Sequence, residues 1–293
     1  MKQSFMHRTI VCSIFFLINI GISSFGLSKE KLFIPKNAKE GMPLFVALHG
    51  CLATADDSES TTRMSEFGEK NGFFVFYPEP ELEFKDSKGC FNFYSEESQR
   101  PGGGDAAMIV QKIQNLVKNY NLDPQRVYVV GMSGGASLIS VLLSCYPNVF
   151  AGGAIHSGMS YGLAQNWQES LFIAQFGPIP HREPNRVCNP TDFHGKLFLA
   201  QGSRDQVMNP RHFSQLKKDF IPQAKVTSRS IAGSTSQYGY KLHSFYENNQ
   251  LRGKGLFVIG MNHEWSGSGP ISVIGPKGPD VSKMIVDYFL NEP

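Results

Sequence analysis

Short apolar runs alternate with helical patterns along most of the chain. Apolar runs bounded by polar or turn residues predict strands, and the clearest are 44–48 (LFVAL), 73–77 (FFVFY), 127–130 (VYVV), 196–200 (KLFLA) and 256–259 (LFVI). Shorter runs at 31–35 and 151–156 predict two more strands. Apolar positions at helical spacing predict helices over 106–120 and 281–290, and a third between the VYVV run and Pro147. Because strands that alternate with helices build covered sheets, this order predicts an α/β protein with a mostly parallel central sheet flanked by helices on both faces.

The first residues differ from the rest of the chain. Lys2 and Arg8 precede an uncharged apolar run from 9 to 22, which small residues follow up to Gly26. This order is typical of a secretory signal peptide, so we expect 1–26 to be a signal and 27–293 to be one domain. The run is shorter than the roughly 20 residues that span a bilayer, although an uncleaved membrane anchor is the alternative. The mature protein is therefore expected to be secreted or periplasmic, without stable membrane insertion.

A segment rich in proline and aromatic residues, 162–195, separates two of the predicted strands. An insertion at this place in an α/β sheet commonly covers the site that the strand ends form, and the alternative is plain surface structure. We expect it to be a cap.

Composition and charge exclude several classes of protein. The chain has 293 residues, of which 41% are hydrophobic and 18% charged, as in globular proteins. Its net charge is +3, and Lys and Arg do not cluster, so no nucleic-acid partner is expected. No C-x-x-C pair is present, so we expect no metal site.

Four cysteines follow the expected signal: Cys51, Cys90, Cys145 and Cys188. An even number in an exported chain predicts two disulfides, for which three pairings are possible.

The motif G-x-S-x-G occurs at 131–135 (GMSGG) directly after the VYVV strand and before an apolar helix. A nucleophilic serine needs such a sharp strand-to-helix turn, with small residues around it, so that its hydroxyl stands clear of the sheet. A second match at 158–162 (GMSYG) precedes a polar stretch without apolar periodicity. The strand–turn–helix context favours Ser133 as the nucleophile and makes Ser160 a turn residue.

A serine nucleophile needs a histidine base and a carboxylate that holds the base in the right tautomer. Asp205 follows the KLFLA strand and His263 follows the LFVI strand, so both open on the same sheet edge as Ser133. The order serine, acid, histidine is that of the α/β-hydrolases. Two other acids fit less well, Asp192 because it precedes its strand and Asp219 because it lies in a helical stretch. His156 also ends a strand, but it precedes the acid.

Acyl transfer also requires donors for the oxyanion. We expect these to be the backbone amides of Gly134, which follows the nucleophile, and of Cys51, in the loop after the LFVAL strand.

The segments LHGC (48–51), GFFVFYP (72–78), CFNF (90–93), DPQRVYVVGMSGGA (123–136) and NHEW (262–265) together resemble those of the polyhydroxybutyrate-depolymerase-like and feruloyl-esterase-like secreted esterases. The resemblance implies an α/β-hydrolase fold and hydrolysis of carboxylic esters without a cofactor. It implies the triad Ser133, Asp205 and His263, with the oxyanion amides already named. It also favours a Cys51–Cys90 disulfide, which leaves Cys145 with Cys188.

Substrate contacts are expected from two aromatic residues. Phe91 belongs to the CFNF segment, where members of the family often carry tryptophan, and Trp265 follows the histidine by two residues. Trp265 could instead pack beneath its loop. The expected partner is a small-molecule or oligomeric ester: a hydroxyalkanoate oligomer, an aromatic ester or a short-chain ester. The alternatives are a peptidase on the same scaffold and a catalytically silent surface-binding protein, and no pattern indicates an oligomeric state.

Overall fold

The computed structural model describes residues 30–80, 89–233, 237–267 and 278–292, so the expected signal at 1–26 lies outside the described residues. The strands are β1 (Lys31–Phe33), β2 (Leu44–Leu48), β3 (Phe74–Tyr77), β4 (Val127–Met132), β5 (Gly152–His156), β6 (Lys196–Gly202), β7 (Lys225–Ile231), β8 (Tyr240–Glu247) and β9 (Gln250–Val258). The helices are α1 (Ala55–Thr62), α2 (Met64–Asn71), α3 (Gly104–Asn119), α4 (Ser133–Cys145), α5 (Trp167–Phe176), α6 (Arg211–Phe220) and α7 (Val281–Asn291).

The described strands form one sheet in the order β1-β3-β2-β4-β5-β6-β9-β8-β7. The six strands in the middle of this order pair in parallel, namely β3, β2, β4, β5, β6 and β9. The short β1 pairs antiparallel at one edge, and the hairpin of β7 and β8 pairs antiparallel at the other. The predicted α/β fold with a mostly parallel sheet is confirmed. The carboxyl ends of β2, β4, β5, β6 and β9 therefore meet at one edge.

Helices cover both faces of the sheet. The side chains of β2 point alternately to the two faces, so they belong to two different cores. Leu44, Val46 and Leu48 belong to a core with apolar residues of α3, α4, α5 and α6. Phe45 and Ala47 belong to a second core with apolar residues of α1, α2 and α7. All five side chains of β2 are buried, and burying a large aliphatic or aromatic side chain contributes about 1.5–3 kcal/mol.

Two strong contacts help to fix the 162–195 segment to the rest of the protein. A disulfide between Cys145 and Cys188 joins it to the end of α4. Arg186 lies 2.6 Å from the carboxylate of Asp219 on α6, and both side chains are largely buried. The segment is thus fixed beside the sheet by covalent and ionic contacts.

Within the described ranges, no helix is both long enough and apolar enough to cross a bilayer.

Candidate active site

Ser133 stands at the junction of β4 and α4, where the chain turns sharply. Its φ angle is +56°, in the left-handed region that non-glycine residues rarely adopt. The flanking glycines are required by close packing: a Cβ on Gly131 would lie 2.8 Å from the carbonyl oxygen of Leu48, and one on Gly135 would lie 2.3 Å from that of His49. The serine therefore heads α4 on a strained turn, with its neighbours pressed against the loop after β2.

Asp205 and His263 lie in the loops after the paired strands β6 and β9. Nδ1 of His263 lies 2.9 Å from Oδ2 and 3.1 Å from Oδ1 of Asp205. The carboxylate is fully buried, whereas the imidazole keeps 17% of its surface exposed. His263 lines one cavity together with Ser133. Three residues far apart in the sequence are thus brought to one edge of the sheet.

The Asp205 carboxylate is held by several further donors. Its Oδ1 accepts from the amides of Val207 (3.0 Å) and Met208 (2.8 Å), and its Oδ2 accepts from Nε2 of Gln201 (3.0 Å). Burial alone would raise the pKa of Asp205, but the hydrogen bond and charge of His263, with the other donors, hold this pKa below its ordinary value. The carboxylate is therefore ionised at neutral pH. The sequence pattern did not indicate Gln201, whose side chain is buried at the end of β6.

The loop after β2 places the Cys51 backbone against the start of α4. A Cβ built on Gly134 would lie 3.5 Å from the Cys51 amide nitrogen and 2.7 Å from its sulfur. A disulfide joins Cys51 to Cys90, which is the pairing that the family resemblance favours. His49 stabilises the same loop, since its Nδ1 donates to the Gly50 carbonyl at 2.8 Å. The two amides expected to hold an oxyanion are thus neighbours.

The cavity beside Ser133 has a volume of about 200 Å³, and part of its wall comes from α1. Asp57, Ser58, Thr61 and Thr62 line it on that side, whereas none of the described lining residues belongs to 162–195. The disulfide and the ion pair of that segment tie it to α4 and α6, and its role as a cap stays a prediction. The sequence pattern did not single out α1, whose residues ADDSESTT carry no apolar stripe.

The two aromatic residues expected at the substrate differ in position. Trp265 lines the cavity, donates from Nε1 to the Ser282 hydroxyl at 2.9 Å and stacks on His156 with 5.0 Å between ring centroids. Phe91 is only 1% exposed and packs on the His49 ring with 4.6 Å between ring centroids, and it is not among the described lining residues. The ring of Phe91 is thus enclosed beneath the His49 loop, and its contact with a substrate stays a prediction.

Ser160, in the second G-x-S-x-G match, is not among the described residues that line the cavity. Its hydroxyl donates to Asp219 at 2.5 Å and accepts from Arg186 at 3.2 Å. The side chain is buried and belongs to the ion pair that anchors the 162–195 segment.

Within the described ranges, no group of three or more His, Cys, Asp and Glu side chains is arranged to hold a metal ion.

Residues 27–177 match the model of the family described as Esterase PHB depolymerase. The chain belongs to this family. The name of a similar protein agrees with this family. The chain is 38% identical to poly(3-hydroxyalkanoate) depolymerase C of Paucimonas lemoignei, over 72% of this chain and 54% of that protein.

Two other esterases are similar to the chain. It is 33% identical to acetylxylan esterase A of Emericella nidulans, over 64% of this chain and 65% of that protein. It is 31% identical to feruloyl esterase B of Thermothelomyces thermophilus, over 80% of this chain and 82% of that protein. The chain thus spans between half and two thirds of the length of the depolymerase and of the acetylxylan esterase. The resemblance drawn from the sequence segments is confirmed.

A solved structure shows the same fold as this member of the Esterase PHB depolymerase family. The acetyl xylan esterase from Aspergillus awamori superposes with a TM-score of 0.65 at 18% identity, over 89% of this chain and 93% of that chain. At this identity the likeness establishes the fold alone, which is that of the α/β-hydrolases.

Proposed function

We propose that the protein is a serine esterase that hydrolyses carboxylic esters through an acyl-serine intermediate. One observation carries the proposal: a serine on a strained strand-to-helix turn and a histidine bonded to a buried carboxylate line one cavity. Membership of the Esterase PHB depolymerase family supports the same reaction class.

The chemistry follows from the hydrogen bond between His263 and Asp205. Because the carboxylate accepts a hydrogen bond from the N–H group at Nδ1, the neutral imidazole keeps its proton on Nδ1 and its lone pair on Nε2, where it can act as a base. In the proposed mechanism Nε2 takes the proton of the Ser133 hydroxyl while Oγ attacks the ester carbonyl carbon. The same proton then passes to the departing alkoxide oxygen, and a water molecule activated by His263 hydrolyses the acyl-serine.

The negative charge that develops on the carbonyl oxygen needs donors that are already in place. The amides of Cys51 and Gly134 are proposed for this role because Gly134 directly follows Ser133 and a Cβ built on it would lie 3.5 Å from the Cys51 amide nitrogen. The positive end of the α4 dipole adds to the stabilisation, since Ser133 is the first residue of that helix.

The substrate class is proposed from the cavity. Leu48, Met132 and Trp265 give it an apolar part, and its volume of about 200 Å³ is below the range of about 300–1,000 Å³ typical of sites for drug-sized molecules. The cavity suits a short acyl group, such as a hydroxyalkanoyl unit or an acetyl group, with a larger alcohol lying outside. A hydroxyalkanoate oligomer or a short-chain or aromatic ester is therefore the proposed partner.

We also propose that the enzyme acts outside the cytoplasm. Its two disulfides are typical of exported proteins, and the charged-apolar-small order of 1–26 is typical of a secretory signal.

The test replaces Ser133 by Ala and, as the matched control, Ser160 by Ala. With p-nitrophenyl acetate as substrate, Ser133→Ala is expected to lower kcat by at least about 10⁴-fold, since the nucleophile is lost, while far-UV circular dichroism stays unchanged. Ser160→Ala is expected to keep kcat within about twofold, because its hydroxyl contacts an ion pair away from the cavity. Undiminished turnover by Ser133→Ala would refute the proposal.

A further inference from the structure

Two elements of the cavity wall are joined by one buried hydroxyl group. Trp265, in the loop that carries His263, and Thr62, the last residue of α1, both line the cavity. Ser282, the second residue of α7, contacts both of them and is only 1% exposed. It is not itself among the described lining residues, so it is not placed to touch a substrate.

The direction of both hydrogen bonds follows from the groups involved. The indole N–H of Trp265 can only donate, and it donates to the Ser282 oxygen at 2.9 Å. The Thr62 carbonyl can only accept, and it accepts from the Ser282 hydroxyl at 2.6 Å. Because a hydroxyl has one proton, the proton is committed to Thr62 while the oxygen accepts from Trp265. The two bonds therefore form one bridge between α1 and the histidine loop.

Helix α1 depends largely on such polar contacts for its position. Its sequence ADDSESTT buries a single apolar side chain, that of Ala55, so little apolar packing holds it. At its start, the Ala55 amide donates to the carboxylate of the buried Glu79 at 2.6 Å. At its end, the Thr62 carbonyl cannot find a donor within the helix, and Ser282 supplies one.

A second contact joins the same ends of α1 and α7. Arg63, directly after α1, forms an ion pair with Asp280, directly before α7. Both of these side chains are partly exposed, whereas Ser282 is buried. Of the two contacts, only that of Ser282 also reaches Trp265.

The same hydroxyl holds one edge of the Trp265 ring. The face of the ring stacks on His156, with 5.0 Å between ring centroids and 25° between the planes. Stacked rings tolerate a range of offsets, so stacking alone would let the indole slide, whereas the bond from Nε1 fixes its edge. The spacing between Trp265 and the end of α1 is thus set by one group.

We propose that Ser282 is a positioning residue that determines acyl specificity: by joining Trp265 to the end of α1, it fixes the width of the cavity and restricts the acyl group to short chains. The proposal rests on the proposed function, because it concerns the cavity that is proposed to receive the acyl group. Ser282 acts through Trp265 and Thr62 and does not contact the reacting atoms.

Ser282→Ala removes both hydrogen bonds and allows the two walls to separate. The ratio of kcat/KM for p-nitrophenyl hexanoate to that for p-nitrophenyl acetate is expected to rise by about fivefold or more, chiefly through a lower KM for the hexanoate. Ser170→Ala is the matched control, since it removes a buried helical hydroxyl that donates to the Trp167 carbonyl at 2.7 Å, outside the described cavity lining. It is expected to leave the ratio unchanged.

A double-mutant cycle separates the bridge from a general loosening of the fold. Trp265→Phe removes the indole N–H and breaks the bridge on its other side. In that background Ser282→Ala is expected to change the ratio by less than about twofold, because the two walls are already uncoupled. An equal rise in both backgrounds, no rise in the wild-type background, or a similar rise in Ser170→Ala would overturn the proposal.

Ser282→Thr and Ser282→Val repeat the test if Ser282→Ala does not fold. The two side chains have the same shape and differ in the hydroxyl, so the ratio is expected to stay at the wild-type value in the first and to rise by about fivefold or more in the second. Equal ratios in the two variants would overturn the proposal.

Exchange of the Trp265 indole proton with deuterium gives a measurement that needs no substrate. The chain has two tryptophans, so in a Trp167→Phe background the indole N–H signal in the NMR spectrum belongs to Trp265. Its exchange is expected to be at least about tenfold faster after Ser282→Ala, and an equal rate would overturn the proposal. Failure of the proposed function itself would be recognised separately, as undiminished turnover by Ser133→Ala.

Discussion

Ser133 and Ser157 directly follow two residues, Met132 and His156, that pair with each other on the adjacent strands β4 and β5. Both serines have a left-handed backbone, with φ angles of +56° and +50°. The two strands thus end in the same unusual conformation, side by side, at the edge of the sheet where the site lies. Strain of this kind is retained where a side chain must be held in one direction.

The Asp205 carboxylate provides the first prediction. Two backbone amides bind Oδ1, so in Asp205→Asn the side-chain NH₂ group is expected to replace Oδ2 and face Nδ1 of His263. The imidazole would then have its proton on Nε2 and could not accept one from Ser133. We expect kcat to fall by about 10⁴-fold, measured with a short chromogenic ester at high enzyme concentration.

Asp192→Asn is the control for this change, because Asp192 is an exposed acid of the 162–195 segment. It is expected to leave kcat unaltered. Similar losses in the two variants would contradict the assignment of Asp205.

The disulfides provide a second prediction, with one pair as the control for the other. Each closes a loop of about 40 residues, so replacing either pair by serines is expected to lower the free energy of unfolding by about 4 kcal/mol. Only the loss of Cys51–Cys90 is expected to lower kcat, by at least about tenfold, because this bond tethers the loop that holds the Cys51 amide.

Activity and urea unfolding, both at low temperature, measure these effects separately. An equal loss of kcat without Cys145–Cys188, or none without Cys51–Cys90, would show that the tether has no special part in the site.

The two tryptophans of the chain allow a matched test of the cavity wall. Trp265→Leu enlarges the cavity, so the ratio of kcat/KM for a hexanoyl ester to that for an acetyl ester is expected to rise by about tenfold or more. Trp167→Leu, on α5 outside the cavity lining, is expected to leave the ratio unchanged. A rise in both variants, or in neither, would exclude Trp265 as a determinant of acyl length.

The central strands and the positions of Ser133, Asp205 and His263 could be predicted because their signals are local. Buried parallel strands read as continuous apolar runs, and residues just beyond them are bound to meet at one edge. The strand β7 could not be predicted, since its residues KVTSRSI are exposed and are held by backbone pairing with β8.

The residues around the proposed triad could not be predicted from the sequence. Gln201 is an ordinary polar residue in the sequence, and only the packing at the end of β6 brings its side chain to Asp205. The same is true of α1, whose polar residues form part of the cavity wall.

Buried histidines predict how stability depends on pH. Burial lowers the pKa of His212 from 6.5 to about 4, so between these values the unfolded chain binds a proton that the folded protein does not. The free energy of unfolding is therefore expected to fall as the pH decreases from 6.5 to 4, by on the order of 3 kcal/mol from this residue. His156, whose pKa is about 3, acts in the same direction.

His212→Gln tests this account, because its amide can still donate to the Ile173 carbonyl that His212 contacts at 2.9 Å. Urea unfolding at several pH values between about 7 and 4 is expected to show a clearly smaller decrease in stability for the variant. A pH dependence identical to that of the wild-type protein would show that His212 is not the group responsible.

The most direct test of the central claim is covalent labelling of the wild-type protein with a fluorophosphonate, followed by mass spectrometry of the peptides. The account predicts one label per chain, on Ser133, with loss of esterase activity in proportion to labelling. A label on Ser160, or full inactivation with Ser133 unmodified, would contradict it.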